Sequence, residues 1–502
     1  MTKTFIILFI CSLILIFAFS PHVFPFTTDS LIYISAALNL KEGNGLVFDN
    51  VFVQPPEPDT LPLKLYPPGY SFLIAFLNRL GMDPYRAALA LPRFFYLLLP
   101  AGYFLVFSQM MPKKLSMAAA GLCTFMFPCF QCALMAWTDI PFLFLSLLSF
   151  FFAFKAAGAQ GKEQFLCAFL AGIFTGGSLL MRNAGYALVL SFGFGFILLA
   201  AFKVLPLKKF LAVAAAYTVG CLGLFLPYLI RNYMVFGEAN PYRLPPANVT
   251  LTQNLFDYSH TLSRMILAND HYHLAVLVIM SGMLAWFLCA FRPLAKTDKR
   301  KMIFAAVLIF YFLSGSFLVI LSKTIYFMPE RINERYLIQY AWIIVAGLSF
   351  SVNRLLGKLN ARGPVDTKGI ALLLLMAFLL IQIFPAADFY FQQRRILNIA
   401  EKVEAHVPLL SQVPEDRVIV SNVMDVTAYY SRRKVRLLNG YTPYGLSQLL
   451  GTKRKFAVYI VKERSEDYRA YLYPLSWLNP DGYRAVHADR DAVLWLPEET
   501  SI

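Results

Sequence analysis

The chain has 502 residues, 58% hydrophobic and only 15% charged, with a net charge of +16. So large an apolar share excludes an ordinary soluble enzyme, and repeated apolar runs near 20 residues indicate a polytopic helical membrane protein. The basic excess is no nucleic-acid footprint, because it follows membrane topology and no RNA- or DNA-binding motif accompanies it.

The expected fold class is an all-α polytopic membrane domain of about 11–13 transmembrane helices, residues 1–386, followed by a small extracytoplasmic α/β domain, residues 387–502. Spans fall near 5–20, 92–110, 115–135, 139–157, 165–180, 184–202, 210–230, 272–291, 302–321, 336–353 and 369–386. The first, Phe5 to Ser20, ends in Ala18-Phe19-Ser20, a poor cleavage site, so it reads as an uncleaved anchor. Residues 21–91 form a first loop with amphipathic helices. Within it, the short apolar stretch 69–80 suits an interfacial or re-entrant helix, or else a span paired with another.

The loops around 113–114, 155–163, 203–209, 292–301 and 354–368, with Lys3, hold 17 Lys/Arg against three acids. They alternate along the chain, as one side of a membrane must, and the positive-inside rule makes them cytoplasmic. Residues 21–91, 136–138, 181–183, 231–271, 322–335 and 387–502 are then extracytoplasmic. All seven cysteines lie in or beside apolar spans, so no disulfide staples the tail. Cys129-Phe-Gln-Cys132 reads as packing within a span.

Past Pro385 the apolar runs shorten. Val418–Asn422, Val435–Asn439, Phe456–Val461 and Ala492–Leu496 read as strands, with turns at Asn439-Gly440 and Asp481-Gly482. This segment can bury its own core. It carries neither metal-ligand spacing nor a glycine-rich phosphate loop, and reads as a structural cap or acceptor-docking module.

The unusual polar residues gather on the extracytoplasmic side. Asp29 follows the first span, Lys64 precedes Tyr66-Pro67-Pro68, and Thr138-Asp139 opens a long apolar helix. Arg182-Asn183 separates two spans, Arg231-Asn232-Tyr233 closes another, and Glu330-Arg331 and Glu334-Arg335-Tyr336 precede the tenth. Two acids and several arginines around a membrane-level cavity suit a lipid phosphate that carries a transferable sugar. Its polyprenyl tail belongs between helices, and its phosphate takes arginine forks. Positive charge also stabilises that phosphate as a leaving group. A carboxylate takes the proton of the acceptor hydroxyl as it attacks C1, and an inverting transfer needs only one such base.

On this reading Asp29 and Asp139 are the catalytic candidates. Lys64, Arg182, Arg231 and Arg335 bind donor phosphate, and Tyr33, Tyr66, Tyr70, Glu334 and Tyr336 line the donor and acceptor cavity. The acceptor is an envelope glycolipid, polysaccharide or protein. No metal ligands are assigned, and the cofactor is open; a divalent cation shared by Asp29 and Asp139 is the one candidate.

Each residue also has a structural reading. Asp29 and Asp139 suit helix N-caps, with Pro141 in a first turn. Arg231 and Arg335 suit snorkelling interfacial anchors. Tyr66-Pro67-Pro68-Gly69 suits an ordinary turn. Asp270, His271 and His273 form a weak metal pattern, and Asn248-Val249-Thr250 is a glycosylation sequon only in a eukaryotic secretory pathway. For the whole chain the alternative is a non-enzymatic transporter of lipid-linked precursors or an envelope assembly scaffold. A transporter places charges deep in its spans or shows paired broken repeats; here the charges lie at one rim.

Taken in order, these pieces resemble a known family. Asp29-Ser30-Leu31-Ile32-Tyr33, Ala36-Ala37-Leu38-Asn39-Leu40 and Gly43-Asn44-Gly45-Leu46 resemble the first extracytoplasmic loop of GT-C glycosyltransferases. Within that class the pieces are similar to bacterial family 39-like membrane proteins, related to protein O-mannosyltransferases and aminoarabinose transferases. Tyr66-Pro67-Pro68-Gly69-Tyr70 resembles the Pro-Pro element that ends this loop. Thr138-Asp139, Arg182-Asn183-Ala184-Gly185, Pro227-Tyr228-Leu229-Ile230-Arg231-Asn232-Tyr233 and Arg335-Tyr336-Leu337 are similar to later signatures. The resemblance spans residues 1–386 and implies a polyprenyl-phosphate sugar donor and transfer on the extracytoplasmic side of a bacterial inner membrane. It also implies Asp29 as base, Asp139 at a second acidic position, and Arg231 and Arg335 on donor phosphate. Two departures stand out. Tyr66 occupies the place of the lysine that directly precedes the proline element in aminoarabinose transferases, with Lys64 two residues earlier. Ser30 follows Asp29 where the mannosyltransferases have Asp-Glu. The oligosaccharyltransferase Trp-Trp-Asp motif is absent from the sequence.

Overall fold

The long apolar runs fold into helices because a backbone in lipid must satisfy its own hydrogen bonds. The computed structural model describes residues 2–49, 60–64, 66–241, 247, 249–267, 299–326, 332–360, 367–437, 456–461, 483–489 and 491–497. Among these, seven helices are long and apolar enough to cross a membrane. They are Thr4–His22, Pro84–Phe107, Asp139–Gly158, Gly161–Met181, Asn183–Ala201, Leu207–Phe236 and Lys299–Ile325. A bent pair, Lys113–Thr124 and Phe127–Leu134, passes the same test together and meets at 54°. The expected span 272–291 lies outside the described residues, as do Asn248, Asp270, His271, His273, Cys289, Glu330 and Arg331.

The chain divides into two compact units. One comprises Met1–Phe19, Lys64–Tyr70 and Ala90–Asp388; the other comprises Ser20–Leu63, Ser71–Leu89 and Phe389–Ile502.

In the first unit, α1 (Thr2–Phe19) turns Ile6, Ile7, Phe9, Ile10, Ile14 and Phe17 outward. Such a continuous apolar surface suits lipid rather than water. Helix α2 (Lys113–Thr124) breaks at Phe125 into α3 (Phe127–Leu134), whose first turn holds Pro128. Buried Gln382 accepts the Phe127 N–H at 2.9 Å. A backbone donor freed by the break is thereby satisfied at membrane depth. Helices α4 (Asp139–Gly158), α5 (Gly161–Met181), α6 (Tyr186–Ala201) and α7 (Leu207–Phe236) follow. Gly172 and Gly176 of α5 meet the backbone at Tyr217 and Cys221 of α7, and Gly220 of α7 meets the backbone at Phe169. A side chain at any of these positions would collide with main chain, so small residues set this close helix pair. Helices α8 (Lys299–Ile325) and α9 (Glu334–Asn360) complete the elements that carry the site.

The cysteines of α3 are buried free thiols, with Tyr103 Oη 3.7 Å from Cys129 Sγ. They pack rather than bridge, as expected. The long helix α10 (Thr367–Ala405) outruns the expected span 369–386, continuing through Pro385 for 39 residues in all. Proline removes one helical hydrogen bond but need not end a helix whose flanking turns are otherwise supported.

In the second unit, α11 (Thr28–Glu42) leads through Gly43 to a two-stranded hairpin, Val47–Asp49 with Thr60–Pro62. Gly43 closes the helix at φ 85°, a left-handed conformation that glycine adopts without a Cβ penalty. The 69–80 stretch forms an 11-residue helix, α12 (Gly69–Arg79). At 1.5 Å per residue it reaches only about half of a bilayer core.

The tail folds as a five-stranded sheet with β1 (Val418–Ser421), β2 (Val435–Leu437), β3 (Phe456–Val461), β4 (Tyr483–Ala488) and β5 (Ala492–Pro497) in the order β2-β1-β3-β5-β4. Strand β1 pairs in parallel with β2 and β3, and β5 runs antiparallel to β3 and β4. Strands β3 and β5 are buried along their whole length, which their unbroken apolar runs require. Val420, Phe456, Val458, Ile460, Tyr483, Val493 and Trp495 form the core, each large side chain contributing about 1.5–3 kcal/mol on burial. Strand β4 is one the sequence did not announce: Tyr483-Arg484-Ala485-Val486-His487-Ala488 lacks an apolar run because it forms the half-exposed sheet edge. The expected turns at Asn439-Gly440 and Asp481-Gly482 lie outside the described residues.

Candidate functional site

In the helical unit, three helix ends bring three charged residues together. Asp139 is the first residue of α4, Arg182 caps the end of α5, and Arg335 lies in the first turn of α9. The Asp139 side chain is 1% exposed. Arg182 Nη1 donates to its Oδ1, and Arg335 Nε stands 3.5 Å from its Oδ2. The Arg335 guanidinium also lies over the Trp137 ring, 3.7 Å from its centroid, a favourable cation–π placement. Asn333 Oδ1 accepts the Arg335 backbone N–H at 3.1 Å and fixes the helix start. One carboxylate thus faces two guanidiniums, leaving an excess of one positive charge. Such a carboxylate does not fit a divalent cation, whose charge the two arginines would repel.

Further polar residues extend this region. Lys323, near the end of α8, is 4% exposed and stands 4.4 Å from the centroid of Tyr336, the residue after Arg335. Sequence reasoning did not single out Lys323. The available signal was its place beside Tyr326 and ahead of Glu334-Arg335-Tyr336 in the sequence. Glu334 is held by Arg264 at 3.2 Å, and Arg264 also reaches Asp388 at 3.2 Å. Arg231 donates to Asn232 Oδ1 at 3.0 Å and lies 5.1 Å from the Phe236 centroid, on its own helix.

The proline element packs tightly. Pro67, Pro68, Gly69 and Tyr70 are buried, Tyr66 is half-buried and Lys64 is exposed. A Cβ on Gly69 would sit 2.7 Å from the Leu180 carbonyl oxygen, two residues before Arg182. The glycine is required by this close approach to the end of α5, beyond any turn it makes.

In the second unit, Asp29 is half-buried in the first turn of α11. It is not the helix cap. Thr27 is the N-cap, in a capping box with Ser30, whose Oγ accepts the Thr27 N–H at 3.1 Å. The capping explanation of Asp29 therefore fails, and its place near the helix start is electrostatically favourable for a carboxylate. Tyr33, one turn on, is buried. Beside Asp29, Thr28 Oγ1 donates to Asp425 Oδ1 at 3.3 Å, from the helix Met424–Ser431 of the tail. Desolvation pushes the Asp425 carboxyl up to about 7; the Thr28 hydrogen bond opposes that shift and the Asp29 charge adds to it. Phe26, Tyr85 and Tyr429 form an aromatic cluster, with Phe26 stacked on Tyr429 at 4.8 Å and the Arg432 guanidinium 4.1 Å from the Tyr85 centroid. Sequence reasoning missed Asp425, which carries no motif and lies 397 residues from Thr28.

No protein-family model matches the chain, and neither does any curated protein. Solved structures do. ArnT from Cupriavidus metallidurans bound to undecaprenyl phosphate aligns over 98% of this chain and 97% of its own, with TM-score 0.58 at 12% identity. The same protein in the apo state gives 0.60 at 13% identity, covering 98% of both chains. The oligosaccharyltransferase AglB from Archaeoglobus fulgidus, in complex with an inhibitory peptide and a dolichol-phosphate, gives 0.56 at 13% identity, covering 92% of this chain and 69% of AglB. The chain is thus a polytopic membrane protein with the fold of the GT-C glycosyltransferases.

Proposed function

We propose that this protein is a bacterial inner-membrane glycosyltransferase. It moves a sugar from a polyprenyl-phosphate donor to an envelope acceptor on the extracytoplasmic face, with inversion. The observation that carries this reading is the buried Asp139–Arg182–Arg335 cluster, whose excess positive charge suits a phosphate at the end of apolar helices. The likeness to a structure bound to undecaprenyl phosphate supports the same donor class.

In this mechanism Arg335 and Arg182 take the donor phosphate and stabilise it as the bond to C1 breaks. Lys323 adds charge to the same step. Asp139 positions the two arginines and is not the base, since two cations hold its carboxylate. Asp29 takes the proton from the acceptor hydroxyl as that oxygen attacks C1. Arg231, Lys64, Tyr33, Tyr66, Tyr70, Glu334 and Tyr336 serve donor and acceptor binding. The test is native mass spectrometry of the purified protein, followed by a transfer assay with a polyprenyl-phosphate sugar. Co-purifying polyprenyl phosphate and sugar transfer are expected. A protein that binds no such lipid and transfers no sugar would overturn the proposal.

A further inference from the structure

Three metal-ligating side chains from distant parts of the chain converge in the tail. His406 follows α10, His487 lies on edge strand β4, and Asp489 sits in the turn between β4 and β5. The nitrogen and oxygen atoms they offer all lie within 4.8 Å of one another. Asp489 Oδ2 is 3.0 Å from His406 Nε2 and 2.9 Å from His487 Nε2.

Each ligand is held in place by something other than its companions. Asp489 Oδ1 accepts the backbone N–H groups of Asp491 and Ala492 at 2.7 and 2.8 Å, so the turn itself fixes Oδ2 towards the imidazoles. His406 Nδ1 lies 3.1 Å from Tyr459 Oη on the buried central strand β3. An outer partner of that kind orients the ring and leaves Nε2 for the ligand. A β-bulge between Ala485 and His487 shifts the register of β4 just before His487, and bulges commonly re-aim a side chain. Two imidazole nitrogens and one carboxylate oxygen form a donor set for a borderline divalent ion. Ligand atoms around a tetrahedral zinc are about 3.3 Å apart, given bonds of about 2.0–2.1 Å. The two histidine–carboxylate spacings, 3.0 and 2.9 Å, need little adjustment to reach that.

We propose that His406, His487 and Asp489 bind one zinc ion, with water in the fourth, solvent-facing position. His406 and Asp489 are 83 residues apart in sequence, so the ion staples the end of α10 to the edge of the sheet. It is independent of the transfer chemistry proposed above.

The test uses the full-length protein in detergent, stripped with chelator, loaded with zinc and dialysed. Elemental analysis is expected to find about one zinc per wild-type chain and a tetrahedral visible spectrum after cobalt substitution. Asp489→Asn keeps an oxygen for the two turn amides and removes the ligand oxygen; it and His487→Ala are expected to lose that ion. Tyr459→Phe is expected to weaken zinc binding about tenfold. Apo wild type and apo variants are expected to share one circular-dichroism spectrum, which separates ligand loss from misfolding. Wild type without zinc, or equal zinc in wild type and both variants, would overturn the site and leave a hydrogen-bonded histidine–carboxylate cluster.

Discussion

Thr138-Asp139 and Thr28-Asp29 are the same dipeptide at the same kind of place, the start of a helix, yet their surroundings are opposite. Asp139 is sealed from solvent between two arginines. Asp29 is half-buried, behind a cap made by its neighbours, with the carboxylate of Asp425 acting on the same locale. A carboxylate fixed by two cations organises positive charge. One set among hydroxyls and a second acid can exchange a proton. Local sequence alone gives both the same description, and the fold gives them different surroundings.

The sharpest way to break this contrast is Asp29→Asn. On the proposed mechanism transfer falls by about 10²–10⁴-fold, the usual worth of a general base, while lipid binding and expression persist. Wild-type turnover in that variant would remove Asp29 from the chemistry. Asp139→Ala is expected to act on the fold instead, because it leaves two arginines facing each other without their counter-charge. A loss of about 3–5 kcal/mol is expected, read as a lower thermal midpoint in detergent. An unchanged midpoint would show that the arginines need no partner.

Arg335 separates charge from shape. Arg335→Ala should weaken donor binding by about 1.5–3 kcal/mol, as for a charge-assisted hydrogen bond, and Arg335→Lys by less. Equal affinities in the two variants would count against phosphate contact.

The smallest effect concerns pH. Asp425 holds its proton up to about 7 in the fold, against an ordinary value of 3.8. The folded form therefore binds this proton more tightly than the unfolded form. Its stabilising contribution is complete below about pH 4 and is lost as pH rises through about 7. Asp425→Asn should flatten the dependence of tail unfolding on pH across that window. Parallel curves for wild type and variant would remove the shift.

What the sequence made legible follows the range of the interactions involved. Apolar runs and loop charges announced the membrane helices because lipid imposes its demand residue by residue. Asp139, Arg182 and Arg335 were each visible at a span boundary, but their mutual pairing depends on helix packing that no local pattern encodes. The buried strands β3 and β5 were readable as apolar runs, whereas β4, half-exposed at the sheet edge, lacks such a run and stayed hidden. Asp425 and the histidine cluster were illegible for the same reason: their partners lie about 400 and 80 residues away.

The contact of Phe26 and Thr28 with Tyr429 and Asp425 has a consequence for biosynthesis. The loop that follows the first membrane anchor emerges early from the ribosome, but the aromatic and polar neighbours that complete its packing are translated near the end. A chain stopped after its last membrane helix would insert its spans and still lack the setting of Asp29. The packing around the first loop is thus completed only by residues translated near the end of the chain.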